Sequence, residues 1–161
     1  MKLLFAIFMI IISTSALAQG SLKEGNTQLD LGLGFSSWGI PIYIGFDYGV
    51  HKDITIGGEF AYRSFKEDNN KKTYSKSVFG LSGNLNYHFN NILRLPKIWD
   101  LYAGLNIGIL FWTSESENSS GLGLGAQFGT RYFLSDKFGL NMEFGGGNRF
   151  SGGKFGITYK M

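Results

Sequence analysis

In every extended stretch of this chain the charges keep to one side. Ile40 to Arg63, IPIYIGFDYGVHKDITIGGEFAYR, sets the pattern. Ile40, Ile42, Ile44, Phe46, Tyr48 and Val50 alternate with Pro41, Tyr43, Gly45, Asp47 and Gly49. Past the polar His51-Lys52-Asp53, Ile54, Ile56, Gly58, Phe60 and Tyr62 alternate with Thr55, Gly57, Glu59, Ala61 and Arg63. Successive side chains leave a strand on opposite faces, so this period predicts two strands joined by a hairpin turn. Pairing Val50 with Ile54 puts Phe46 beside Gly58 and Tyr48 beside Ile56. The two apolar faces then merge, and Asp47, Glu59 and Arg63 all lie on the other face. A water-soluble barrel would turn its charges outward. The question this hairpin raises is whether the charged face is the inside.

The same alternation recurs over 27–35, 77–89, 99–111, 121–133, 138–144 and 154–161. About eight such segments, each of roughly nine to thirteen residues, have the length that crosses a tilted bilayer path. An even number lets the first strand pair with the last and leaves no edge. No Asp, Glu, Lys or Arg lies on the apolar faces. The opposite faces carry Asp30, Asp47, Glu59, Arg63, Asp100, Arg131, Glu143, Lys154 and Lys160, with Asn84 and His88 among them. A lipid-facing Arg or Lys at mid-depth costs about 2–4 kcal/mol, so a face free of charge is the lipid face. The predicted fold class is all-β: one eight-stranded antiparallel up-and-down transmembrane barrel. The polar residues named above form its lumen network. Acids and bases there nearly balance, and Asp100 and Arg131 are expected within reach of a direct or water-mediated ion pair. The 24 glycines suit a lumen too narrow for large side chains.

Connection lengths orient the barrel. The links 51–53 and 135–137 are short, as periplasmic turns are, whereas 64–76, 113–120 and 145–153 are long, as outward loops are. Interface aromatics then gather at both rims: Tyr48, Phe89, Trp99, Tyr132, Phe138 and Tyr159 at the periplasmic one, Phe35, Trp38, Tyr62, Phe65, Phe111 and Trp112 at the other. Ser64 to Lys76 lacks an apolar period and reads as an exposed loop or an extended hairpin tip. Its Lys66, Lys71 and Lys72 are within the chemistry that binds lipopolysaccharide phosphates, although a solvated loop is the plainer reading. Asn90 to Ile98 is the least regular link, with Leu93 and Leu95 expected at an interface.

Met1 to Ala18 carries Lys2, an apolar run from Leu3 to Ile12 and the small-x-small Ala16-Leu17-Ala18. This is the order of a secretory signal peptide, which leaves 19–161 as one barrel domain. There are no cysteines, so no disulfide or thiolate metal site is expected. Fifteen basic residues against 12 acidic ones is too even a balance for nucleic acid. GLGLGAQFG at 121–129 is not followed by a helix and is no phosphate loop. A hydrolase or acyltransferase would need a Ser and a His in hydrogen-bond reach. His51 sits in a turn, and His88 has Ser82 nearest on its own face, far beyond that reach. No catalytic, cofactor-binding or metal residue is assigned.

The alternating strands, the leader, GIPIYIGFDYGVHKDITIGGEFAYRS and the closing KFGITYKM together resemble the small outer-membrane β-barrel family of the kind common in Bacteroidota-type bacteria. The resemblance covers the whole mature chain. It implies residence in the outer membrane of a Gram-negative bacterium, delivery by periplasmic chaperones, insertion by the barrel assembly machinery, and contact with outer-membrane lipid and lipopolysaccharide. The expected state is a monomer. The resemblance implies no single biochemical function. A structural or surface-interaction role without catalysis is the leading expectation. Transport of small or apolar molecules is the alternative, and a lipid A-modifying enzyme the third. The family's terminal strand commonly ends in an aromatic residue. This chain ends in Met161, which leaves Tyr159 as the expected aromatic anchor.

Overall fold

The computed structural model describes residues 20–35, 39–69, 72–113, 121–148 and 152–161, with backbone alone at 65–69 and 72–75. The leader, Trp38 and the side chains of Phe65, Lys66, Lys71 and Lys72 therefore lie outside the described residues. The alternating segments become β1 (Thr27–Phe35), β2 (Ile42–His51), β3 (Ile54–Asn69), β4 (Lys72–His88), β5 (Trp99–Trp112), β6 (Gly121–Phe133), β7 (Phe138–Gly147) and β8 (Gly152–Lys160). A short helix, α1 (Asn90–Leu93), links β4 to β5. Each strand pairs antiparallel with the next, and β8 pairs with β1 to close the barrel. In that seam Leu31 faces Ile157 and Gln28 faces Lys160, while the Met161 amide donates to Thr27 O at 2.9 Å.

The barrel is inverted relative to a soluble one. Leu105 is 66% exposed on its outer wall, whereas Asp100 is 0% exposed within. Ile44, Phe46, Leu81, Leu85, Leu124 and Phe155 share the outer face. The inside is not wholly polar, however. Val78 and Leu110 are buried near one mouth and Phe133 near the other. These apolar residues sit where strand parity turns them inward at the ends of the lumen.

One connection departs from expectation, a second takes one of its two expected forms, and the segment before β1 adds a feature of its own. Phe46 pairs with Gly58 and Tyr48 with Ile56, but Val50 does not pair with Ile54; His51 does, and the register shifts between Gly49 and His51. Val50 is the extra residue of a bulge, which adds local twist. The tip is also tied down, because Asp53 is buried and accepts from the Asn91 side chain in the neighbouring link. Next, 64–76 is not a loop: β3 and β4 stay paired up to Asn69 and Lys72. Past Tyr62 on one side and Ser77 on the other, where Ser77 O still accepts from Thr113 N at 3.1 Å, the described ladders of these two strands are with each other. They rise above the barrel as a ribbon, the hairpin-tip alternative.

Finally, residues 20–26 fold back under the barrel end where the described chain both begins and finishes. Gly25, at φ 81°, turns the chain, and its amide donates to Gly49 O at 2.9 Å. Leu22 is thereby driven inside, only 2% exposed, and Lys160 Nζ donates to Gly20 O at 2.5 Å.

Candidate functional site: a filled lumen

Strand register builds the lumen in layers. Asp100 and Arg131 are direct partners across β5 and β6, and the curvature of the barrel carries β1 and β2 round to face them. Arg131 Nη2 donates to Asp30 Oδ2 at 2.8 Å and to Asp47 Oδ2 at 2.6 Å; its Nη1 donates to Asp100 Oδ2 at 3.2 Å. The Tyr102 ring lies 4.3 Å from the guanidinium carbon. With its amide turned so that the oxygen faces inward, Gln28 accepts from Arg131 Nε at 2.8 Å and from Thr158 Oγ1 at 3.1 Å. A charge withdrawn from water is tolerated only when paired and hydrogen-bonded, and this guanidinium is met on every side. The planar fork of arginine suits several carboxylates at once, which an ammonium does not.

A second layer sits farther along the axis. Glu143 and Lys154 are partners across β7 and β8, and Glu59 reaches them across the lumen. Lys154 Nζ lies 2.6 Å from Glu59 Oε2 and 2.6 Å from Glu143 Oε1. Tyr102 joins the layers, its hydroxyl donating to Glu143 Oε2 at 2.9 Å. An amide chain runs beside them: Gln127 Nε2 donates to Asn86 Oδ1 at 2.7 Å, and Asn106 Nδ2 to Gln127 Oε1 at 2.9 Å. Between the layers remains a void of ≈ 20 Å³, room for about one water. Above the second layer a cavity of ≈ 120 Å³ opens beside Arg63, Asn84 and Leu110. At the opposite end Lys160 Nζ sits 3.6 Å over the Phe133 ring.

All eleven polar residues singled out from the sequence thus face the lumen. Asp30, Asp47, Asp100 and Arg131 meet in one layer, and Glu59, Glu143 and Lys154 in the next. Arg63 and Asn84 line the open cavity, and Lys160 guards the far end. His88 is buried against Asp100, with Nδ1 2.7 Å from Oδ1, and its Nε2 lies 3.0 Å from Thr55 Oγ1. Sequence reasoning put Thr55, Gln28, Tyr102 and Asn141 on the polar faces without singling them out. Parity places them inside, but they carry no charge to mark them.

Thr55, His88 and Asp100 have the connectivity of a hydroxyl activated by an imidazole and a carboxylate. Thr55 is 0% exposed, however, and Asp100 is also held by Arg131. No acyl group reaches that hydroxyl in this arrangement. Among the described residues no group of three or more His, Cys, Asp or Glu side chains could hold a metal ion.

The aromatics project outward at both rims. Tyr48, Trp99, Phe111 and Tyr159 are exposed, and Tyr62, Phe89 and Tyr132 partly so. They cluster across strands: Trp99 on Tyr132 at 4.8 Å, Tyr62 on Phe79 at 5.0 Å and Tyr87 on Phe89 at 5.3 Å between ring centroids. Rings of this kind suit the boundary between hydrocarbon and headgroups, where one end is dry and the other wet.

A family model described as "Outer membrane protein beta-barrel domain" matches residues 4–159. Among solved structures, the outer membrane protein OprG of Pseudomonas aeruginosa is 13% identical with a TM-score of 0.67, over 89% of this chain and 99% of that one. Neisserial surface protein A is 13% identical with a TM-score of 0.55, over 84% and 95%. Ail, the attachment invasion locus protein of Yersinia pestis, is 14% identical with a TM-score of 0.52, over 86% and 99%. At these identities the likeness is one of fold. No curated protein matches the sequence.

Proposed function

The chain belongs to the outer membrane protein β-barrel domain family, and from that premise we propose that it serves the envelope as a sealed structural or surface-presenting barrel. It is an integral barrel of the Gram-negative outer membrane. The observation that carries the finer reading is the blocked lumen. Arg131 with its three carboxylates spans the bore, and Lys154 with two more lies above it. An eight-stranded interior has room for little else. The turns 51–53 and 135–137 face the periplasm in this reading. The β3–β4 ribbon then stands outside the cell, where Lys66, Lys71 and Lys72 are available to lipopolysaccharide phosphates. The barrel works as a monomer, delivered by periplasmic chaperones and inserted by the assembly machinery. Placement among Bacteroidota-type members belongs to the same proposal and rests on the sequence patterns. The inaccessible Thr55 hydroxyl supports a role without catalysis. Lipid A from cells with and without the protein should have one acyl pattern, and a mass change would contradict this.

Transport is the second reading, favoured by the ≈ 120 Å³ cavity at the outer mouth. It would require both ion-pair layers to part. Planar-bilayer recording separates the two. We expect no stable open state, and a reproducible one would transfer the assignment to transport.

A further inference from the structure

The link from Phe89 to Ile98 repeats on a small scale the inversion seen in the barrel. Its two amide side chains are fixed to the protein. Asn90 Nδ2 donates to Trp99 O at 2.5 Å, and its Oδ1 accepts from Leu101 N at 3.1 Å. The Asn91 side chain donates to Asp53 in the adjoining turn. The apolar side chains of the same helix turn face away: Ile92 is 66% exposed and Leu93 53%. No water-facing loop gains from fixing its amides inward and its leucines outward. The arrangement makes sense where the surroundings are apolar. The link is also continuous with the lipid-facing wall, since Phe89 and Trp99 at its two ends belong to the aromatic rim.

Two exposed cations flank the apolar pair, Arg94 and Lys97. Arg94 adopts φ 50°, ψ 44° at the helix C-terminus. It is the one non-glycine residue with positive φ among the described residues. Glycine or asparagine is usual at such a position, and an arginine there carries a backbone penalty. The conformation turns the chain back so that Leu95 N bonds Asn90 O at 3.0 Å. It also places Arg94, an exposed cation, immediately after Ile92 and Leu93 in the chain.

We propose that the 89–98 link is a docking site for anionic phospholipid of the periplasmic leaflet. Ile92 and Leu93 enter the boundary between acyl chains and headgroups, and Arg94 and Lys97 take the phosphates. Apolar residues with basic neighbours are what such an interface selects, and basic groups near an anionic surface draw its lipids to them. The site rests on the orientation proposed above, which puts this link on the periplasmic side.

The test uses the mature protein refolded into symmetric vesicles, with Trp38→Phe and Trp112→Phe leaving Trp99 as the reporter. Dibrominated phosphatidylglycerol and dibrominated phosphatidylcholine are compared as quenchers at equal mole fraction. The glycerol lipid should quench Trp99 at least twofold more, within the roughly fivefold expected per engaged basic residue. Arg94→Gly with Lys97→Gln should abolish the preference. This variant relieves the backbone at position 94 and so should fold at least as well. In parallel, a fluorophore on Ile92→Cys should be shielded from aqueous iodide. Equal quenching by the two lipids, a preference that survives in the double variant, or full iodide access would each overturn the site. So would cosedimentation with peptidoglycan sacculi that depends on Arg94 and Lys97 in the absence of lipid preference, which would give the patch to the cell wall. Symmetric vesicles are blind to orientation. Labelling of Lys52→Cys by an impermeant maleimide in intact cells would refute the orientation and leave the lipid result standing.

Discussion

Arg131 holds three carboxylates that otherwise face one another in a space without room for bulk water. Arg131→Met removes the cation that Asp30, Asp47 and Asp100 share, although Asp100 keeps His88 and Asp30 keeps Asn141. Loss of one partner of a buried ionic cluster costs about 3–5 kcal/mol. We expect a loss of that order in urea unfolding of the vesicle-embedded barrel, with Arg131→Lys losing less because it keeps the charge without the fork. A loss below about 1 kcal/mol for Arg131→Met would show that the acids do not depend on the guanidinium. The Asp100–Arg131 contact was legible in the sequence because both lie near the same end of consecutive strands with inward parity. The Thr55–His88 contact was not. Parity along one strand tells which way a side chain points, but not what stands beside it on the next strand. Thr55 lies on β3, whereas Ser82, the nearest serine on the face of His88, lies along β4 itself.

At the scale of elements, the seam between β1 and β8 decides whether there is a barrel. An unclosed seam would leave backbone groups of two strands in hydrocarbon, each at a cost of several kcal/mol. Space in this seam is short: a Cβ on Gly156 would lie 2.2 Å from Leu31 O and 2.8 Å from Tyr43 Oη. Gly156→Val should therefore reduce the heat-modifiable folded form several-fold on gels. Gly146→Val is the control, because a Cβ there meets nothing within 4 Å. Equal yields would mean the seam yields more easily than its geometry indicates. Deleting Tyr159 to Met161 should abolish the folded form in cells, since it removes the Leu29–Tyr159 and Gln28–Lys160 pairs. The strands inside the bilayer were readable because lipid on one side and a polar lumen on the other impose a strict period of two. The ribbon at 64–76 was legible only as one of two alternatives, because SFKEDNNKKTYSK carries no apolar period to mark a strand. The burial of Leu22 escaped because a single apolar residue in a short turn has no period at all.

The whole molecule is a wall with its chemistry turned inward, and its two faces meet different solvents. The protein should fractionate with detergent-extracted outer membrane and migrate differently on gels before and after boiling. The sharpest measurement exploits neighbours on opposite faces. Leu85 is half exposed on the outer wall, paired with Ile56 and Leu105 well away from either rim. Asn84 lines the ≈ 120 Å³ lumen cavity. An arginine at Leu85 faces hydrocarbon at a cost of about 2–4 kcal/mol, whereas one at Asn84 enters a polar cavity beside Glu59 and Glu143. Folded, membrane-inserted protein should be strongly depleted for Leu85→Arg and largely retained for Asn84→Arg. Equal depletion, or the reverse order, would mean that the barrel is the other way out.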